Sequence, residues 1–120
     1  VKKLEEEAKK FMQLHNKSMM TADEYQRKAR ETAIYPKKDA LPYLSLGLVS
    51  EAGEVAGKIK KLIRDKTKSD VASEVGDVLW YCAMLASEVG VSLGKIMENN
   101  LEKLNDRKQR GKLQGSGDTR

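Results

Sequence analysis

Apolar and polar positions follow a helical period along almost the whole chain. Between residues 3 and 15, Leu4, Ala8, Phe11 and His15 fall on one side of a predicted helix, and Glu5, Glu6, Lys9 and Lys10 are spaced for i, i+4 charge pairs. Thr21 with Glu24 three residues later makes a capping box, so a second helix is predicted from Ala22 to about Thr32, ahead of the Tyr35-Pro36 step. Asp39 is placed to cap a third, with Pro42 tolerated in its first turn, and that helix should run to about Arg64. Residues 65–69 form a polar connection. Ser69 or Asp70 then caps a helix that Gly90 stops, and Ser92 opens a last one in which Leu93, Ile96, Met97, Leu101 and Leu104 keep the spacing until Gly111.

The two central runs carry matched stripes. Leu48, Ala52, Val55, Ile59 and Leu62 define the first; Val71, Val75, Val78, Cys82, Leu85 and Val89 define the second. At about 100° per residue, Glu51 lies about 60° and Glu54 about 120° to one side of the first stripe, and Glu74 and Asp77 repeat those offsets on the second. If the stripes pack together, four carboxylates converge along one edge of a shared core. Like charges about 4 Å apart repel by roughly 1 kcal/mol in water and about 4 kcal/mol at an effective dielectric near 20, so such convergence calls for a cation. The bland alternative is four solvated positions on two amphipathic helices; the matched offsets and the repetition weigh against it. With no histidine or thiolate at hand, oxygen ligands favour Mg²⁺, or Mn²⁺, over zinc or copper.

The run 71–89 also bears Leu79, Trp80, Ala83 and Met84 off its stripe, so apolar side chains surround most of its circumference. A helix apolar nearly all round must be buried nearly all round. Its few companions cannot supply that cover, which predicts a homo-oligomer with Trp80 shielded. Gly53, Gly57 and Gly76 each lower helix propensity by about 1 kcal/mol and point either to close helix approach or ligand room beside the acids, or to loose packing.

Composition narrows the class. With 39% hydrophobic and 34% charged residues and two prolines among 120, the chain reads as one helical domain. The net charge of +5 suits an anionic partner, and much of the excess lies in Lys58, Lys60, Lys61, Arg64 and the end of the chain. Cys82 is the single cysteine, which excludes an internal disulfide and a cysteine zinc site and leaves it a buried small apolar residue. No apolar run approaches the roughly eighteen residues that span a membrane, and no secretory leader is visible, so a soluble cytoplasmic setting is expected. Residues 111–120 carry little apolar payload and are expected to be a flexible basic tail unless they fold over a ligand or partner.

The order E-x-x-E, nineteen residues, E-x-x-D, led by Gly47-Leu48-Val49-Ser50, resembles the MazG-like family of all-α nucleoside triphosphate pyrophosphohydrolases. The likeness runs from Met20 onward, with residues 20–110 as the domain and 1–19 as a helical extension. The family motif opens on two adjacent acids; here Ser50 stands where the first would be. The resemblance implies a four- to five-helix all-α bundle with the acid-bearing helices antiparallel at its core. It implies Mg-dependent hydrolysis of a (deoxy)nucleoside triphosphate to monophosphate and pyrophosphate, as nucleotide-pool control or house-cleaning. Glu51, Glu54, Glu74 and Asp77 would be the metal ligands and catalytic acids. Tyr81, one turn after Asp77, and Lys58, one turn after Glu54, would reach phosphate oxygens; Asn100 and Lys103 would contact phosphates or base, with Arg107 on the same side; Tyr35 and Gln26 would lie near the base. Relatives are homodimers or homotetramers. Two rivals are weaker. A di-iron bundle needs Glu-x-x-His motifs, and none is present. A non-enzymatic helical module binding nucleic acid or a protein partner would explain the charge, but no nucleic-acid recognition motif is found and the basic residues are interleaved with acids.

Overall fold

A computed structural model describes residues 2–15, 19–66 and 70–120. Among them the chain is helical, with no strand: α1 (Lys2–His15), α2 (Ala22–Arg30), α3 (Ala40–Asp65), α4 (Val71–Glu88) and α5 (Leu93–Gln109), and a short 3-10 turn Lys37–Asp39 leading into α3. Ser69 and the side chain of His15 lie outside the described residues.

The local chemistry sets most of these boundaries. The Thr21 hydroxyl accepts from the Glu24 amide at 3.1 Å and starts α2. The Asp70 carboxylate accepts from the Ser73 amide at 3.0 Å and the Ser92 hydroxyl from the Lys95 amide at 3.1 Å, so α4 and α5 begin where side-chain acceptors meet orphan N–H groups. Asp39 occupies the cap position of α3 but makes no side-chain cap bond; the 3-10 turn carries the chain in instead. Gly90, with a φ of 76°, lets the Val91 amide reach back to the Ala86 carbonyl and closes α4.

α3 and α4 form the principal pair. Gly47 faces Tyr81, Glu51 nears Asp77 and Lys58 reaches Glu74, so partner numbers fall as α3 advances and the pair is antiparallel. α2 lies across α4 and α5, whereas the backbone of α1 comes close to none of the other helices among the described residues. Two α2 side chains bolt the corner between α4 and α5. Gln26 accepts from the Leu93 amide at 2.7 Å while donating to the Ser87 hydroxyl and the Val91 carbonyl, and Asp23 accepts from the Gly94 amide at 2.8 Å. The first free N–H groups of α5 are thus satisfied from another helix.

The centre of burial departs from the predicted stripes. Ala29, Leu44, Ala83, Met84 and Leu93 form the core, with Tyr25, Tyr35, Trp80, Tyr81 and Leu85 packed round it. Ile59, Leu62, Val75 and Val89, all stripe residues, remain exposed, and Cys82 is half-buried. α2 and the start of α5 cover the side of α4 that holds Ala83, Met84 and Ala86 and reach Leu79, while α3 runs along the side bearing Glu74, Asp77 and Tyr81. The unburied apolar surface consequently lies mostly on α3 and α5 rather than on α4: Leu46, Val49 and Ile63 are 73%, 71% and 73% exposed, and Met97 and Leu101 are exposed as well. Trp80 is half-buried within its own chain.

Residues 111–120 do not trail away. Positive φ angles at Gly111, Gly115 and Gly117 turn them back on α5, and the Arg120 guanidinium donates to the carbonyls of Lys112, Leu113 and Gly117.

Candidate active site

The acid offsets read from the helical period carry through to exposure. Glu51 and Glu74, nearer their stripes, are half-buried; Glu54 and Asp77, one step further round, are exposed. Where α3 and α4 run side by side, one carboxylate oxygen each from Glu51, Glu74 and Asp77 lies within 4.8 Å of the others. Glu54 is not in that group, although it is close enough to act on Glu51 electrostatically. Desolvation, then the charges of Asp77, Glu74 and Glu54, push the Glu51 carboxyl above its ordinary range. The half-exposed Lys58 ammonium stands 3.9 Å from Glu74 and offsets part of this charge.

Beside the acids opens a cleft of ≈ 350 Å³ lined by Thr32, Glu51, Asp77, Trp80 and Tyr81. Its far wall is aromatic. Trp80 meets Tyr81 edge to face at 5.0 Å and Tyr35 at 6.4 Å, and Tyr35 stacks on Tyr43 at 5.9 Å. The indole N–H donates to the Thr32 hydroxyl at 2.8 Å, and that hydroxyl donates to the Ala29 carbonyl at 2.7 Å, which fixes the tryptophan. Burial, then the neighbouring Tyr43, Glu51 and Asp77, raise the Tyr81 hydroxyl above its ordinary pKa, so it stays protonated and can donate to an anion.

Gly47 is the residue that admits Tyr81. A Cβ there would lie 2.1 Å from Tyr81 Cε1 and 2.4 Å from Cζ, so only glycine leaves space for the ring. Helical spacing does not single out this position; a glycine facing a tyrosine across an antiparallel pair becomes visible once register is known. The glycines flagged from sequence behave otherwise: Cβ atoms at Gly53, Gly57 and Gly76 would meet nothing within 4 Å, so none marks a close helix approach.

The remaining expected contacts divide. Asn100 and Lys103 line a second cleft of ≈ 340 Å³ with Ile96 and Asn99. Arg107 is 4% exposed and engaged with the tail, its guanidinium donating to the Asp118 carbonyl at 2.8 Å and carboxylate at 3.3 Å. The Tyr35 hydroxyl donates to Glu88, and burial with that bond lifts its pKa to about 12. Gln26 is consumed at the α4–α5 corner and has no part in the acidic group. Thr32 and Trp80, which line the acid-side cleft, were not among the site residues expected from sequence.

A helical bundle that gathers carboxylates at the seam of its two principal helices, beside a cleft walled by tyrosine and tryptophan, defines the class: an all-α domain with an oxygen-only acidic centre. The chain belongs to the MazG nucleotide pyrophosphohydrolase domain family, whose model matches residues 42–111, a span from the first turn of α3 to just beyond α5. It is 46% identical over 114 residues to the Gene 37 protein of Mycobacterium phage L5, an alignment covering 84% of this chain and all of that protein. It is 34% identical over 79 residues to the uncharacterized protein YvdC of Bacillus subtilis (strain 168), covering 55% of this chain and 74% of that protein. No solved structure matches.

Proposed function

We propose that this protein hydrolyses a (deoxy)nucleoside triphosphate to the monophosphate and pyrophosphate at the Glu51–Glu74–Asp77 cluster. The convergence of three carboxylate oxygens within 4.8 Å, next to a cleft of nucleotide-compatible size and lining, carries the reading, and membership of the MazG family supports it. The donor set fits a hard divalent cation. The three carboxylate oxygens are near enough to one another for side-chain movement to bring them onto one such ion. Glu51, Glu74 and Asp77 would hold Mg²⁺, or Mn²⁺, with Glu54 swinging in from the adjoining turn; when bound, the ion neutralises charge on the phosphates.

The chain's own groups supply alignment. The protonated Tyr81 hydroxyl faces the acids and donates to a phosphate oxygen, and Lys58 adds a cation one turn from Glu54. Trp80, held by Thr32, gives the cleft one fixed wall. The oxygen of a water bonds to the α-phosphorus as the bridge to the β-phosphorus breaks; pyrophosphate leaves, and the proton released by the water passes to a carboxylate of the cluster.

The working unit in this reading is a homodimer or homotetramer in the cytoplasm, clearing or adjusting nucleotide pools. Support comes from the exposed side chains Leu46, Val49, Ile63, Met97 and Leu101, which a second copy of the chain would cover. Among the described residues no helix is long and apolar enough to cross a membrane. Incubating the protein with a panel of nucleoside triphosphates, with and without Mg²⁺, and separating products by anion exchange tests the proposal. Metal-dependent monophosphate and pyrophosphate in equal amounts are expected; release of inorganic phosphate instead, or no turnover of any triphosphate, overturns it.

A further inference from the structure

The folded tail touches one of the residues that line the second cleft, Lys103. One oxygen of the Asp118 carboxylate accepts from the Lys103 ammonium at 3.2 Å and from the Arg107 guanidinium at 3.3 Å, and Lys103 is a wall of the cleft that also holds Ile96, Asn99 and Asn100. Two tethers fix where Asp118 stands. Arg107, almost wholly buried, binds the Asp118 main-chain carbonyl, and Arg120 gathers three carbonyls of the turn while Arg110 donates to the Arg120 carbonyl at 2.8 Å. A buried guanidinium left without an acceptor is strongly destabilising, so the turn is anchored rather than loosely laid down.

Lys103 contrasts with this rigidity. Its four-carbon stem is flexible and its side chain only half-buried, so by itself it would sample many rotamers and offer an anion a poorly placed charge. The acidic partner that limits those rotamers comes from fifteen residues away in sequence, on the turn that Arg107 and Arg110 also hold. A turn tied at so many points is poorly suited to being displaced by a ligand; it is suited to holding something still.

We infer that Asp118 is a positioning residue: through the turn 111–120 it holds the Lys103 ammonium at the cleft, so that the pyrophosphate end of a nucleotide meets a fixed cation. This rests on the pyrophosphohydrolase reading for the identity of the ligand, while the placement of Lys103 rests on the structure alone.

The test is a double-mutant cycle on the full chain, read by calorimetric binding of inorganic pyrophosphate with Mg²⁺ and by kcat and KM for the best triphosphate. Asp118→Asn keeps the carbonyl that Arg107 needs and should weaken pyrophosphate binding about threefold to tenfold, as expected for an exposed pair that orients rather than binds. In a Lys103→Ala background the same change should do nothing further. Arg120→Gln, which loosens the turn without touching the cleft, should reproduce the loss, and a matched melting temperature in the Asp118→Asn protein shows that unfolding is not the cause. An equal loss with and without Lys103 would show a merely structural turn and overturn the inference. Tighter binding by Asp118→Asn would overturn it too, since Asp118 would then be a competitor for the cation. If the parent binds pyrophosphate but hydrolyses no triphosphate, the proposed reaction fails while the cycle still decides the role of Asp118.

Discussion

Replacing Gly47 with alanine is the sharpest perturbation the structure offers, because one methyl group lands where an aromatic ring already is. The added Cβ would sit 2.1 Å from Tyr81 Cε1 and 2.8 Å from Cδ1, well inside van der Waals contact. Either the Tyr81 ring rotates out or α3 and α4 separate. Overpacking of this kind costs about 1–3 kcal/mol, against a gain of about 1 kcal/mol from replacing a helical glycine by alanine. The net change in Gly47→Ala is therefore small and ambiguous on its own. Gly53→Ala resolves it, since a Cβ there meets nothing within 4 Å and the variant should keep only the propensity gain. The difference between the two isolates the clash at roughly 1–3 kcal/mol, which for a chain of this size separates their melting temperatures by about 4 °C or more.

The functional consequence should exceed the thermal one. Displacing the Tyr81 ring moves a hydroxyl that senses both Glu51 and Asp77, so Gly47→Ala should lower kcat as far as Tyr81→Phe does. In a Tyr81→Ala background, with the ring gone, Gly47→Ala should become stabilising. Thermal melts followed by circular dichroism and a pyrophosphate-release assay on the parent and the five variants measure both effects. If Gly47→Ala and Gly53→Ala melt together and Gly47→Ala turns over at the parental rate, the packing of Tyr81 on α3 is wrong and its place in the site goes with it.

Other outcomes follow from the same geometry. Glu51→Gln, Asp77→Asn and Glu54→Gln should each reduce metal-dependent turnover at least about a hundredfold while helical circular dichroism persists; activity within a few fold of the parent would remove that acid from the centre. Because the folded-state pKa of Glu51 is raised, its contribution to the stability of metal-free protein is present below the ordinary carboxylate range and lost as pH rises through the raised value. Glu51→Gln should therefore melt progressively above the parent between pH 4 and 7, and Mg²⁺ should close the gap; parallel profiles would mean that the acids do not repel. The Tyr35 hydroxyl, raised from 10.0 to about 12, gives stability that is intact below pH 10 and lost as pH climbs toward 12. Tyr35→Phe should flatten that alkaline loss, and identical melting profiles from pH 9 to 12 would refute it. Val49→Asp, placed in the exposed apolar surface of α3, should yield monomers by sedimentation, whereas a monomeric parent would end the oligomer proposal.

What the sequence made legible is whatever the helical period determines locally. Thr21, Asp70, Ser92 and Gly90 mark helix ends by chemistry that needs no partner element, and all four hold in the structure. Asp39 holds the expected cap position of α3, but its carboxylate makes no cap bond, because the 3-10 turn Lys37–Asp39 leads the chain in. The acid offsets are also local quantities, which is why they agree with the order of exposure that the structure shows among Glu51, Glu54, Glu74 and Asp77. Register across α3 and α4 was not local. It decides that Gly47 rather than Gly53 lies under Tyr81, and that three acids rather than four already share a centre.

The misplaced core has the same origin and bears on function. A period identifies which residues of α4 are apolar but not which neighbour covers each, and a helix apolar nearly all round offers two readings: one face against its own chain, one against something else. α2 takes the face bearing Ala83 and Met84, and Gln26 and Asp23 lock that choice by satisfying the start of α5. The seam with α3 is left shallow, so the carboxylates on its edge lie open to an incoming ligand while retaining enough desolvation to raise Glu51. A deeper seam would bury four acids at a cost of several kcal/mol per uncompensated ion, and a shallower one would leave them solvated and unable to concentrate charge. In the proposed reading, half-burial of Glu51 and Glu74, with Asp77 at the surface, would let the helices assemble without a cation and leave the acids placed to bind one.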